Sequence, residues 1–115
     1  MRILNIIAAL NGACGLLMLA AAHHLINGQE GAPFVQLAAI AQLSAAAAGL
    51  AIANRAGRLN LIAGAMILGG ATLFAAEIYL ISFRVSEATH FLAPVGGGTL
   101  ILGWIVLAFA KPDAS

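Results

Sequence analysis

Glu77 is the residue of this 115-residue chain whose surroundings most clearly suggest chemistry. It stands inside a long apolar run, six residues before Phe83, or about 9 Å from the end of a helix that rises 1.5 Å per residue. A charged side chain at the centre of a membrane helix costs about 2.5–3.5 kcal/mol on insertion scales. We therefore expect Glu77 to face neighbouring helices, either paired or neutral. The partners expected at the same level are Arg84, His23, His24, Gln36 and Gln42.

These side chains define a candidate intramembrane polar site made of Glu77, His23, Gln42 and Arg84. Three interpretations stay open for it. A buried hydrogen bond could fix the register of the helices, a proton or ion could use the carboxylate, or the group could bind a metal or cofactor.

The histidines are weak candidates for metal ligands. His23 and His24 are adjacent, so on a helix they point about 100° apart and cannot easily bind one ion, and the polar stripe favours His23 as the one facing Glu77. His90 and Glu87 could join them from the next loop. Because no His and Glu lie three or four residues apart within one apolar run, we predict no metal site and no cofactor.

Catalytic patterns are missing elsewhere. The Gly96–Gly98 run is not followed by the Lys-Ser or Lys-Thr pair of a phosphate-binding loop, so it does not resemble one. The single cysteine, Cys14, excludes an internal disulfide and a cysteine-based zinc cluster. No Ser-His-Asp or Cys-His pair has a supporting spacing, so we predict that the protein is not an enzyme.

The composition indicates a membrane protein. Hydrophobic residues make up 63% of the chain and charged residues 8%, and the mean hydropathy is +1.03, whereas soluble domains carry about 25% charged residues. Four apolar runs cover residues 3–25, 33–53, 59–83 and 91–110, each close to the roughly 20 residues that cross a bilayer as a helix. Short breaks between them predict an all-α fold, an antiparallel bundle of four transmembrane helices forming one domain over residues 1–115.

The basic residues predict the orientation. In a four-span topology Arg2, Arg55, Arg58 and Lys111 share one side, whereas Arg84 lies on the other. The positive-inside rule then places both termini in the cytoplasm, and we expect the cytoplasmic (inner) membrane. With no basic patch, nucleic acid is excluded as a partner.

Small residues share helical stripes with the polar ones, which is typical of helices that pack closely in membranes. Asn5, Asn11, Gln42 and Thr72 are expected to form hydrogen bonds between helices. The glycines expected at helix contacts are Gly12, Gly15, Gly49, Gly64, Gly70, Gly96, Gly97 and Gly98.

Three segments together resemble a known family. They are Ala22-His23-His24-Leu25, residues 74–80 around Glu77 in the third apolar run, and Ala93-Pro94-Val95-Gly96-Gly97 followed by Gly103-Trp104. In order and spacing the chain resembles domain-of-unknown-function family 423, the transmembrane protein 256-like small membrane proteins. The resemblance implies a small four-helix integral membrane protein and carries over no biochemical activity.

We therefore expect a non-enzymatic, multi-pass membrane protein that is a structural or accessory component of a membrane complex or a homo-oligomer. Its expected partners are the lipid bilayer and either other membrane subunits or copies of itself. One alternative is a proton or small-solute pathway centred on Glu77 and His23, and another is a metal- or haem-binding membrane module.

Overall fold

The computed structural model describes residues 2–83 and 92–112. Four α-helices account for most of them, and the described part of the chain contains no strand. The helices are α1 (Arg2–His24), α2 (Ala32–Ala53), α3 (Arg58–Ser82) and α4 (Leu92–Phe109). The predicted all-α fold of four helices is confirmed.

Glycine and proline mark the end of α1 and the starts of α2 and α3. After α1 the chain turns through Gly28, whose φ of 84° lies in the left-handed region that glycine adopts without a steric penalty. Pro33 then stands in the first turn of α2, where its missing N–H is no loss. Gly57, with a φ of 104°, directly precedes α3.

Consecutive helices run antiparallel. Between α1 and α2, Gly15 lies against Leu43 and Ala8 lies against Gly49, so the contacts move in opposite directions along the two helices. The contacts of α3 with α4 also move in opposite directions, since Gly70 lies against Leu100 and Phe74 against Gly96. The same holds for α2 and α3, where Gly49 lies against Leu68 and Ile52 against Gly64. Short connections favour this arrangement because they leave each helix beside its predecessor.

The helices do not close into a ring. Helix α2 packs on both α1 and α3, α1 also touches α3, and among the described helices α4 packs against α3 alone. The outward side of α4 is apolar and exposed. Its large exposed side chains are Val95, Ile101, Leu102, Trp104, Ile105 and Phe109.

Glycines produce the tightest helix contacts. A Cβ atom added to Gly96 would lie 2.5 Å from the backbone nitrogen of Phe74, and one added to Gly70 would lie 2.5 Å from the nitrogen of Leu100. Added Cβ atoms would also come within 3.1 Å of a neighbour at Gly15, Gly49 and Gly64. At these five predicted positions each glycine lies against a neighbouring helix.

The other three predicted glycines are less crowded, and one of them makes no helix contact. Gly98 has no neighbouring atom within 4 Å of an added Cβ, so its assignment to a helix contact is wrong. Gly12 and Gly97 make only ordinary contacts, at 3.5 Å. Gly103, which was not predicted, lies so close to α3 that an added Cβ would be 2.9 Å from the nitrogen of Ile67.

Helices α1, α2 and α3 are each long and apolar enough to cross a membrane, judged by length and composition. Helix α4 is apolar but shorter. Two apolar clusters form the core. One contains Leu4, Ala8, Ile52, Ile67 and Leu68, and the other contains Ala22, Val35, Ala38, Ala75 and Tyr79.

Candidate functional site

A polar network joins α1, α2 and α3. Gln42 Nε2 donates a hydrogen bond of 2.9 Å to Asn11 Oδ1, and the Tyr79 hydroxyl donates one of 2.6 Å to Gln42 Oε1. Thr72 Oγ1 lies 3.3 Å from the same Asn11 oxygen. Asn11, Gln42 and Tyr79 are buried, so three helices are linked through a shared set of buried amide and hydroxyl groups.

The remaining donors of the network bond to backbone carbonyls of their own helices. Asn11 Nδ2 also donates to the carbonyl of Ile7 at 3.1 Å, and the Thr72 hydroxyl donates to the carbonyl of Leu68 at 2.7 Å. Buried polar groups are costly only when they lack partners. This arrangement therefore holds three helices in one register at little cost in unsatisfied groups.

The two amides of the network lie between the two apolar clusters, and Tyr79 reaches Gln42 from the second cluster. Along α1, Asn11 follows Ala8 of one cluster and precedes Ala22 of the other, and Gln42 lies likewise between Ala45 and Ala38 on α2. The two amides therefore lie near the midpoints of their helices. In a membrane-spanning protein this level is the part of the bilayer farthest from water.

The sequence predicted part of this network. The expected interhelical hydrogen bonds of Asn11, Gln42 and Thr72 are confirmed, but Asn5 is exposed and its assignment was wrong. Tyr79 was missed. A signal for it existed, because it follows Thr72 by seven residues and therefore lies on the same face of α3.

Glu77 is buried on a different side of α3, with 1% of its surface exposed. Its Oε2 accepts a hydrogen bond from the backbone N–H of Ala93, the second residue of α4. The first amides of a helix have no acceptor within the helix, and the next residue, Pro94, has no N–H at all. Glu77 therefore caps the start of α4 from the neighbouring helix.

The partner of Glu77 corrects the prediction from sequence. A side-chain partner was expected, yet the observed donor is a backbone amide. This amide belongs to the first turn of α4, the positive end of the helix dipole, which favours an acidic group. Glu77 Oε1 is buried and, within residues 2–83 and 92–112, has no hydrogen-bond partner. Arg84, the expected cationic partner, lies outside the described residues.

Glu77 does not belong to the polar network that contains Gln42. Gln42 is bonded to Tyr79, which stands two residues after Glu77 and so points about 200° around the helix from it. No hydrogen bond between described residues joins Glu77 or Ala93 to the polar network. Of the predicted site residues, Glu77 and Gln42 are thus not brought together, and Arg84 lies outside the described residues.

His23 was predicted to face Glu77 and does not. Both His23 and His24 are exposed, and their rings meet edge to face with centroids 4.9 Å apart. The buried residue at this turn is Ala22, one position earlier. One residue along a helix is a rotation of about 100°, so His23 points away from the face on which Asn11, Gly15 and Ala22 are buried.

The described residues contain no group of three or more His, Cys, Asp or Glu side chains placed to hold a metal. The two remaining loop candidates, His90 and Glu87, lie outside them. Cys14 is a half-buried free thiol.

A third polar contact fastens the end opposite Glu77. Asn60 is fully buried, and its Nδ2 donates to the carbonyls of Ala56 at 2.9 Å and of Lys111 at 2.8 Å. Its Oδ1 accepts from Arg55 at 3.3 Å. One amide thus ties the segment after α4 to the loop between α2 and α3.

An open groove of about 960 Å³ runs between α1 and α3. Arg2 lies at one end of it, and Gly69 leaves an opening in its wall because nothing lies within 4 Å of the position of a Cβ there. Its other lining side chains are almost all aliphatic, with Leu4, Ile7, Leu61 and Leu68 among them.

Comparison with known proteins identifies the family and assigns no activity. No solved structure matches the chain significantly. The family model described as "Protein of unknown function (DUF423)" matches residues 12–97, which include Gln42, Thr72 and Tyr79 of the polar network, Glu77 and the start of α4. The chain therefore belongs to the DUF423 family of proteins of unknown function.

Proposed function

We propose that this protein is a non-enzymatic, multi-pass protein of the cytoplasmic membrane that serves as a structural or accessory component of a membrane complex or homo-oligomer. The observation that carries the proposal is the polar network of Asn11, Gln42, Thr72 and Tyr79. The bonds among Asn11, Gln42 and Tyr79 are buried and run from helix to helix, so these groups hold the bundle together.

The packing of α4 supports an assembly role. This helix contacts only α3 among the described helices and carries an exposed apolar surface that includes Ile101, Trp104 and Phe109. Such a surface can face lipid or another membrane helix. Exposed apolar side chains of α1 and α2, such as Leu17 and Phe34, offer further area of the same kind.

The native mass tests the assembly role. The protein is extracted from its own membrane in mild detergent and weighed by native mass spectrometry. We expect a particle heavier than a single 11.6 kDa chain, either a homo-oligomer or a complex with other membrane proteins. A strictly monomeric particle in every mild detergent would contradict the proposal.

Thiol labelling tests the orientation with both termini in the cytoplasm. In a Cys14→Ala background, Gln29→Cys marks the first loop and Arg55→Cys marks the second. An impermeant thiol reagent added to intact cells should label position 29 at once and position 55 only after permeabilisation. The reverse pattern would overturn the orientation.

One observation favours a second candidate function, a proton site at Glu77. The buried Oε1 has no partner among the described residues, and intramembrane carboxylates are often kept for proton transfer. Proton flux into liposomes is compared between the wild-type protein and Glu77→Gln. Flux that is unchanged in the variant would eliminate this candidate.

A further inference from the structure

We propose that the groove between α1 and α3 binds an acyl chain of an anionic phospholipid, whose phosphate pairs with Arg2. This inference rests on the proposed membrane location, but it does not depend on the assembly role. Two properties of the groove support it, namely its length and the placement of its charge.

The groove has the length of one leaflet. Its wall on α3 extends from Leu61 to Leu73, which is about 18 Å at 1.5 Å per residue. Half of a hydrocarbon core of about 30 Å is about 15 Å. A groove that begins at Arg2 therefore ends near the bilayer midplane, as the acyl chain of a lipid in that leaflet does.

The floor of the groove suits an apolar occupant. Thr72 is its one polar side chain besides Arg2, and the Thr72 hydroxyl is already used by the Leu68 carbonyl and Asn11. A hydrocarbon chain therefore leaves no polar group of the floor unsatisfied.

The shape favours a chain over a helix. Helices α1 and α3 touch beneath the groove, where Leu4 lies against Gly64 and Thr72 reaches Asn11. An additional helix of about 10–12 Å diameter would rest on the rim, whereas a single hydrocarbon chain can enter between the side chains.

The charge lies where a phosphate would be. Arg2 is exposed and lines the groove at the end where α1 and α3 both begin. Arg58, also exposed, stands three residues before Leu61 and so on the same face of α3. Neither of the described acidic residues, Glu30 and Glu77, lines this groove, so the charge at its mouth favours an anionic headgroup.

The chain offers a matched pair of variants. Gly69→Leu fills the groove, while Gly98→Leu adds the same side chain to α4, and an added Cβ meets no atom within 4 Å at either position. Both changes replace glycine with a better helix former, so both proteins are expected to fold. Arg2→Gln removes the charge and keeps the groove.

Native mass spectrometry of the whole chain counts the bound lipids. Delipidated protein in mild detergent is titrated with phosphatidylglycerol or with phosphatidylcholine of the same acyl chains. We expect one tightly bound phosphatidylglycerol on the wild-type protein and on Gly98→Leu, and none on Gly69→Leu. Arg2→Gln should bind phosphatidylglycerol about fivefold more weakly, the usual effect of one basic residue at an anionic surface.

Several results would overturn the proposal. Equal affinity for the two lipids, which both carry a phosphate, would overturn the preference for an anionic headgroup. Unweakened binding by Arg2→Gln would remove the phosphate contact, and a lipid retained by Gly69→Leu would place the lipid elsewhere. A dimer that Gly69→Leu dissociates would show that a second copy occupies the groove. Carbonate extraction of membranes separates the proposals: release of the wild-type protein would overturn the membrane location and the lipid site together, whereas an integrated protein without bound lipid would overturn the lipid site alone.

Discussion

The carboxylate of Glu77, near the end of α3, accepts a hydrogen bond from the backbone amide of Ala93 at the start of α4. The contact places the one charged residue of the apolar runs at the start of α4, which packs on α3 alone among the described helices. Close glycine contacts at Gly70, Gly96 and Gly103 hold the rest of that interface. Glu77 is thus best understood as the cap of α4.

Replacing Glu77 should distinguish capping from charge. Glu77→Gln keeps an oxygen that can accept from Ala93, whereas Glu77→Ala loses it, and a lost cap costs about 1 kcal/mol. We expect faster hydrogen exchange at Ala93 and easier unfolding in Glu77→Ala than in Glu77→Gln. Equal exchange in the two variants would contradict the capping role.

The hydrogen bond from Tyr79 to Gln42 should contribute measurably to stability. Tyr79→Phe removes the donor and leaves Gln42 Oε1 buried, and such bonds in membrane proteins are worth about 0.6 kcal/mol on average and up to about 1.7 kcal/mol. A double-mutant cycle with Gln42→Leu, followed by SDS-induced unfolding, should show non-additive losses. Ser44→Ala is the control, because its exposed hydroxyl bonds only within α2; strict additivity in the cycle would refute the coupling.

The contact between α3 and α4 should not tolerate added methyl groups. The Cβ of Gly96→Ala would lie 2.5 Å from the Phe74 nitrogen, and backbone atoms cannot move aside as a flexible side chain can. We expect a loss of about 1–3 kcal/mol from overpacking, measured by thermal unfolding in detergent. Gly98→Ala, two residues away and unobstructed, should gain about 0.5–1 kcal/mol; a similar loss in both variants would argue against the close contact.

Asn60 should hold the segment that follows α4. Asn60→Ala removes the donor to the Lys111 carbonyl, at a cost of about 1 kcal/mol for a buried bond. Carboxypeptidase should then trim the C-terminal end faster than in the wild-type protein. Asn54→Ala is the matched control, since that exposed amide bonds only to Leu50, and trimming at the wild-type rate in Asn60→Ala would disprove the tether.

The amino-acid sequence by itself determined the number and kind of the helices and the residues of the midplane network other than Tyr79. Runs of about 20 apolar residues must satisfy their own backbone hydrogen bonds, and the helical repeat then places Asn11, Gln42 and Thr72 on faces that meet neighbours. These properties depend only on local spacing, so they can be deduced without coordinates.

Only the tertiary structure decided the partner of Glu77 and the orientation of individual turns. A backbone amide leaves no mark in a sequence, so Ala93 could not be predicted as the donor. One residue of helix is a rotation of about 100°. That rotation buries Ala22 and exposes His23, and it turns Gly96 and Gly103 toward α3 while Gly98 faces outward. The rotation is decided by how whole helices pack, which is a property of the assembled chain and not of its local sequence.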